Sequence, residues 1–178
     1  MKIVKYADGA SSRPLLPMLI INSAVVFQGG VVKLVAGGVD GADAVSDPVF
    51  GICQGFVVKG GMTNIDNALA GDYDGTYSAG VSYTASADNQ TDKQVKALVE
   101  IILPGDVIRA ELDAAPGTTT GSDLIGYFVD VLTSDERKLD ESNTHATNQL
   151  QFQIIGQATG NFVDVILVEN QINGAVQA

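Results

Sequence analysis

Apolar and polar positions alternate with a period of two over much of this chain, the spacing that puts one set of side chains on each face of a strand. Near the C-terminus, Leu150, Phe152 and Ile154 alternate with Gln149, Gln151 and Gln153, and Val163, Val165 and Leu167 repeat the pattern. The intervening GQATGN carries two glycines, so the stretch predicts a β-hairpin. The same period runs through KQVKALVEIILPGDVIRAEL, residues 93–112, where Pro104 and Gly105 suit the central positions of a type II turn and DVIRAEL is the return strand. LIGYFVDVL predicts another strand. Upstream, AVVF and VVKLVA flank a hairpin or bulge at Gly29 and Gly30. In VFGICQGFVVKGG, Phe50, Ile52, Phe56 and Val58 share one face and Val49, Gly51, Cys53, Gly55 and Val57 the other, so both faces read as buried.

Other segments lack this periodicity. Residues 1–23 pass through Gly, Ser, Pro14 and Pro17, which suit neither a central strand nor a helix interior, and read as an extended arm. GGVDGADAVSDP reads as an acidic loop and TSDERKLDESNTHATN as a charged one. Residues 60–92 read as an irregular, loop-rich insertion with TNIDNALAG as a short helix and a strand within YSAGVSYTA. No internal repeat or heptad is apparent. The expected fold is therefore all-β: a sandwich or barrel-like body of about eight to ten strands over residues 24–178, an N-terminal arm over 1–23, and little helix. Twenty glycines and a 46% hydrophobic content agree with a packed β body.

Charge adds a polarity to this picture. Residues 1–39 hold Lys2, Lys5, Arg13 and Lys33 against Asp8, about +3, while the other 139 residues carry six basic and twenty acidic side chains, about −14. An acidic body repels phosphates, so no nucleic-acid partner is expected; simple solubility also accounts for it. Cys53 is the one cysteine, which excludes an intrachain disulfide and fits synthesis in a reducing cytoplasm. PLLPMLIINSAVVF is broken by two prolines and preceded by Asp8, unlike a signal peptide, and no run of about 18 apolar residues suggests a membrane helix.

The chemistry-bearing residues are sparse. His145, the one histidine, lies in a polar stretch, and Cys53 lies mid-strand among bulky apolar neighbours, where a thiol is usually inert. No GxSxG elbow, GxGxxG or P-loop occurs. Asp40, Asp43 and Asp47, and Asp72 with Asp74, have a spacing seen in calcium loops, but the closing Glu of an EF-hand is missing, so solvated turns are the favoured reading. Neither a catalytic set nor a cofactor is expected, and the chain does not read as an enzyme.

In their order, an irregular arm, VVFQGGVVKLVAGG, PVFGICQGFVVKGG, VEIILPGDVIRAELD, LIGYFVDV, KLDESNTHATNQLQFQIIG and FVDVILVEN, the segments resemble the capsid decoration (cement or head-stabilisation) proteins of tailed bacteriophages. Together they cover most of the chain; residues 60–92 have no counterpart in that pattern. The resemblance implies a non-enzymatic virion protein on the outer capsid surface, a homotrimer whose partner is the major capsid protein. Lys2, Lys5 and Arg13 of the arm would meet an acidic capsid or sister subunit, and Leu15, Leu16, Met18 and Ile20 would supply apolar affinity. Another virion part, such as a tail component or adhesin, and a carbohydrate-binding module on a β scaffold are the alternatives.

Overall fold

The computed structural model describes residues 1–44, 47–58, 82–85, 87–89, 95–114, 124–145, 151–157 and 160–168. The fold is all-β. Its strands are β1 (Lys2–Lys5), β2 (Leu16–Leu19), β3 (Val25–Phe27), β4 (Val31–Val35), β5 (Gly38–Gly41), β6 (Gly51–Val58) and β7 (Ser82–Thr84). They continue with β8 (Val95–Ile101), β9 (Val107–Leu112), β10 (Phe128–Leu132), β11 (Asp135–His145), β12 (Phe152–Gln157) and β13 (Phe162–Leu167). Thirteen strands among the described residues exceed the expected eight to ten. The surplus lies in segments expected as loops or arm: β5 in the acidic loop, β11 in the charged loop, and β1 and β2 within the first 23 residues, β1 at the short alternating piece with which they open. The expected TNIDNALAG helix lies outside the described residues.

Ten of the strands close into two rings. In the second, β9, β11, β10, β12 and β13 follow one another and β13 returns to β9. Only β9 and β11 are parallel, through Glu111 opposite Lys138 and Leu112 opposite Leu139. In the first, β2, β8, β6, β4 and β5 form an antiparallel sheet, and a parallel bridge between Ile20 and Val39 joins its two ends. Numbered by chain order within its own ring, each barrel runs 1-3-2-4-5 and back to 1, with the 1–3 contact parallel. The molecule is thus a tandem of two five-stranded barrels with one topology, a repeat that the sequence does not display.

The correspondence extends to single hydrogen bonds. Gly30 N–H donates to the Phe27 carbonyl at 3.0 Å, and Tyr127 N–H donates to that of Leu124 at 3.0 Å. Both are type II turns whose third residue, Gly29 or Gly126, has a φ of 77° or 94°, a region that side chains disfavour. Each glycine N–H then donates across to the next-but-one strand, Gly29 to Cys53 O at 2.6 Å and Gly126 to Ile154 O at 2.8 Å. The return bonds run from Cys53 N to Gly30 O and from Ile154 N to Tyr127 O. Each of those strands bulges one residue later, at Gln54 before Gly55 and at Ile155 before Gly156. The parallel closures match as well: Ile21 N donates to Val39 O at 3.1 Å, and Asp113 N to Leu139 O at 2.9 Å. At the first closure only glycine fits at position 38, because a Cβ there would sit 2.1 Å from Leu19 O.

Two cores follow from the two rings. One packs Ile20, Val32, Val39, Cys53, Phe56, Val95, Ala97 and Val99 inside the first barrel, with Val26 of β3 and Tyr83 of β7 added from a separate antiparallel pair. The other packs Leu112, Val129, Leu139, Phe152, Ile154, Val163 and Val165 inside the second barrel, and it is continuous with Val31, Val49, Ile52 and Ile102 from outside the first. Val31 and Val32 of β4, and Ile52 and Cys53 of β6, are therefore buried on opposite faces of their strands, as the largely apolar run at residues 49–58 predicts for β6. Polar contacts brace the same junction: Gln151 Nε2 donates to Asp47 O at 2.7 Å, and the Arg137 guanidinium lies 5.0 Å from the Phe27 ring centroid.

Candidate interaction surface

The first 23 residues, expected as an extended arm, are extended and paired. β1 lies antiparallel on β9 of the second barrel and β2 lies antiparallel on β8 of the first, so the segment straps the two rings together. Between them sits a latch. Asp106, fully buried, follows the type II turn Leu103–Asp106 and accepts backbone N–H groups from Leu103 at 2.7 Å and Ala7 at 2.8 Å. Arg13 grips both its carboxylate oxygens, one through Nη2 at 2.9 Å, and donates to Ile101 O at 3.2 Å. The guanidinium also stacks 4.9 Å from the Tyr6 ring centroid. Burial raises the Asp106 carboxyl, but Arg13 and the two backbone donors outweigh it and hold it below the usual carboxylate range. Tyr6 in turn donates to Glu100, a bond that, with burial, pushes its phenol up to about 12.

This geometry separates the seven candidate contact residues. Lys2, Lys5 and Leu15 are exposed. Arg13, with a side chain 9% exposed, is consumed by Asp106, and Ile20 is fully buried in the first core. Leu16 and Met18 lie half-buried opposite Val99 and Ala97 of β8. The physical reason is the ring closure: β2 and Ile20 complete the first barrel, so their apolar side chains belong to it. Asp106, Glu100 and Tyr6 were not singled out by the sequence, although an acid directly after Pro-Gly is the one signal that such a turn has a side-chain acceptor at its end.

The other candidates resolve in the same manner. Lys33 Nζ occupies the centre of the acidic loop, 2.7 Å from Asp47, 3.1 Å from Asp43 and 3.9 Å from Asp40, so a lysine supplies the positive charge there. Asp72 and Asp74 lie outside the described residues. Cys53 points into the first barrel with its Sγ 3.3 Å from Gly55 O, and burial pushes its thiol up to about 12. It is expected to resist a maleimide in the native protein and to react within minutes once unfolded, as mass spectrometry would record; prompt native labelling would contradict that burial. His145 ends β11, opposite Phe128, on the other barrel.

A further buried acid, Glu136, was not singled out by the sequence either. It is 5% exposed and reaches from β11 to the first barrel, where its Oε1 lies against Gly41 and its Oε2 is without a hydrogen-bond partner among the described residues. Burial raises its carboxyl most, Asp43, Asp135 and Asp40 add to that, and it titrates near about 7 despite a hydrogen bond from its own backbone. Nothing in DERKLD marks it, because charged residues surround it in sequence.

Comparison with known proteins returns no matching family model, no curated relative and no similar solved structure.

Proposed function

We propose that the chain is a structural protein of a tailed-phage virion, a decoration subunit that assembles with copies of itself, as a homotrimer, and binds the outer surface of the capsid. The observation that carries this reading is how the molecule uses its chemistry. The described acid–base groups with strong partners, Arg13 with Asp106 and Lys33 with its three aspartates, hold strands and loops together. Presented outward at the N-terminal strap are Lys2, Val4, Lys5 and Leu15, basic and apolar together on an otherwise acidic chain, with Asp8 the one exposed acid there and paired to Arg13. Among the described residues β1 pairs with β9 alone, so its second edge has backbone groups available to a neighbouring strand. Many weak contacts of this kind, repeated over a shell, suit cementing.

Deleting residues 2–20 would remove β2 from the first barrel and so confound binding with folding. Charge reversal of the exposed positions avoids this. Lys2→Glu with Lys5→Glu is expected to lower occupancy on shells of the parent phage lacking decoration protein by tenfold or more at physiological salt, with unchanged thermal unfolding. Undiminished occupancy would remove the basic edge from the interface.

A further inference from the structure

The tandem repeat allows each surface of one barrel to be compared with its counterpart on the other. On the first barrel, Val31, Ile52 and Glu100 form a row across β4, β6 and β8, flanked by Gln28 in the turn and Gln54 at the bulge. This row is covered by the chain itself: Val31 is 1% and Ile52 0% exposed within the junction core. Tyr6 closes over Glu100, and the two glutamines form a chain of bonds, Gln28 to Gln54 O at 3.1 Å and Gln54 to Glu100 at 2.6 Å.

The counterpart row on the second barrel is Phe128, Gln153 and Ile166 across β10, β12 and β13. By the turn and bulge equivalences, Ile125 and Ile155 stand where the first barrel has Gln28 and Gln54. Among the described residues nothing covers them: Ile125 is 56% and Ile155 40% exposed, and Phe162 further along β13 is 44% exposed. The substitutions run against the usual order. Gln28, Gln54 and Glu100 stand beside Val31 and Ile52 on the covered side, whereas Ile125, Ile155 and Ile166 take their places beside Phe128 and Gln153 on the other, and exposed apolar clusters of this sort mark contact sites.

We infer that this face of the second barrel, Ile125, Phe128, Ile155, Phe162 and Ile166, is where a second copy of the chain docks. Two observations select a copy as the occupant. The matching face of the first barrel is already a barrel-to-barrel interface of this chain, so the surface type is one that such barrels bury. The row and its flanking turn and bulge carry no charged side chain, and on β13 the one acid between Ile166 and Phe162, Asp164, is paired with Arg109 at 2.8 Å. Copies with a net charge of −11 repel one another elsewhere, so a face without excess charge along this row is where they can meet. The inference deepens the proposal that copies assemble, and it is tested without a capsid so that its failure is separate from failure of shell binding.

The experiment is sedimentation velocity on the full chain across a concentration series. The wild type is expected to run at a multiple of 18.5 kDa. Ile125→Gln with Ile155→Gln, which installs the residues of the first barrel, is expected to raise the dissociation constant at least tenfold, and Ile125→Asp with Ile155→Asp to give the monomer. Both sites are exposed, so cooperative unfolding should be kept; Leu34→Asp, at an exposed position of the first barrel, should leave the mass unchanged. A wild type that stays monomeric at about 100 µM, where even micromolar affinities saturate, would overturn the inference. So would an oligomer that persists in both glutamine and aspartate pairs. If the aspartate pair fails to fold, the glutamine pair decides.

Discussion

Arg13→Ala is expected to cost the fold about 3–5 kcal/mol, the range for breaking a buried ion pair from one side. Asp106 is fully buried and Arg13 is 9% exposed through its side chain, so solvent screening does not dilute the contact. Removing the guanidinium leaves the carboxylate with the Ala7 and Leu103 N–H donors and no counter-charge. It also removes the donor to Ile101 O and the cation over Tyr6, loosening the strap where it crosses from β9 to β8. The reciprocal change, Asp106→Asn, should cost less than Arg13→Ala, because the amide oxygen still accepts one backbone donor and the arginine can turn to Asp8, whose carboxylate lies 3.2 Å away. Urea unfolding measures both. A loss under about 1 kcal/mol for Arg13→Ala, the figure typical of an exposed pair, would mean that the latch is not closed in solution. Because Asp106 is held below its ordinary range, its contribution is present above pH of about 4 and is lost as the pH falls through its lowered folded value.

The strands that alternate were legible, and those that do not were missed for one reason. β4, β6, β8, β9, β10, β12 and β13 each lay several side chains into a core, so their period of two is written out in apolar residues. β5 and β11 occupy the same place in their rings, and each inserts one side chain at the parallel closure, Val39 and Leu139. The residues around them, Asp40 in β5 and Asp135, Glu136, Arg137, Lys138 and Asp140 in β11, are polar, and Gly38 is required by the close approach of Leu19 O, so neither strand writes out an apolar period. What makes them strands is the ladder and the two-residue turns before them, Val35 opposite Gly38 and Leu132 opposite Asp135.

The repeat itself was illegible because packing preserves character and not identity. Equivalent core positions read Ile20 and Leu112, Cys53 and Ile154, Val39 and Leu139. Three extra residues in β11 also shift the register, since Leu34 faces Val39 five positions on, whereas Val131 faces Leu139 eight positions on. Identities remain at Gly29 and Gly126, both at positive φ, at Gly55 and Gly156 after the bulges, and at two core pairs, Val32 with Val129 and Val99 with Val165, too few and too common in type to show as a repeat. The fate of the basic arm was hidden likewise. Arg13 sits in a polar, proline-bearing stretch, and the carboxylate that buries it lies 93 residues away in sequence.

Glu136 gives the second large effect, with a sign opposite to that of the latch. Its folded carboxyl is raised from 4.5 to about 7, so between those values the folded protein binds a proton that the unfolded chain has released. The Glu136 contribution to stability therefore falls as the pH rises from about 4.5 to about 7 and is level above that, by about 3 kcal/mol for a shift of this size, while the Met1 ammonium, lowered to about 6, adds a slope of opposite sign between about 6 and 8. The lowered carboxyls of Asp106 and Asp135 finish titrating below this window, and subtracting the profile of Glu136→Gln cancels what other groups contribute within it. Glu136→Gln should remove this contribution and stabilise the protein at pH 8 on the order of 2 kcal/mol, less than the full amount because the amide brings a donor to a site where, among the described residues, Oε2 has no partner. Parallel urea profiles for the two proteins between pH 5 and pH 8, or a Gln variant weaker than the wild type at pH 8, would show that the carboxylate is solvated or paired in the native junction. The junction between the barrels is thus a place where the fold buries an acid, set between β11 and the Gly41 end of β5, whose carboxyl burial and the charges of Asp43, Asp135 and Asp40 together raise. Proton uptake there tightens the contact between the two barrels, as the strap tightens it from outside.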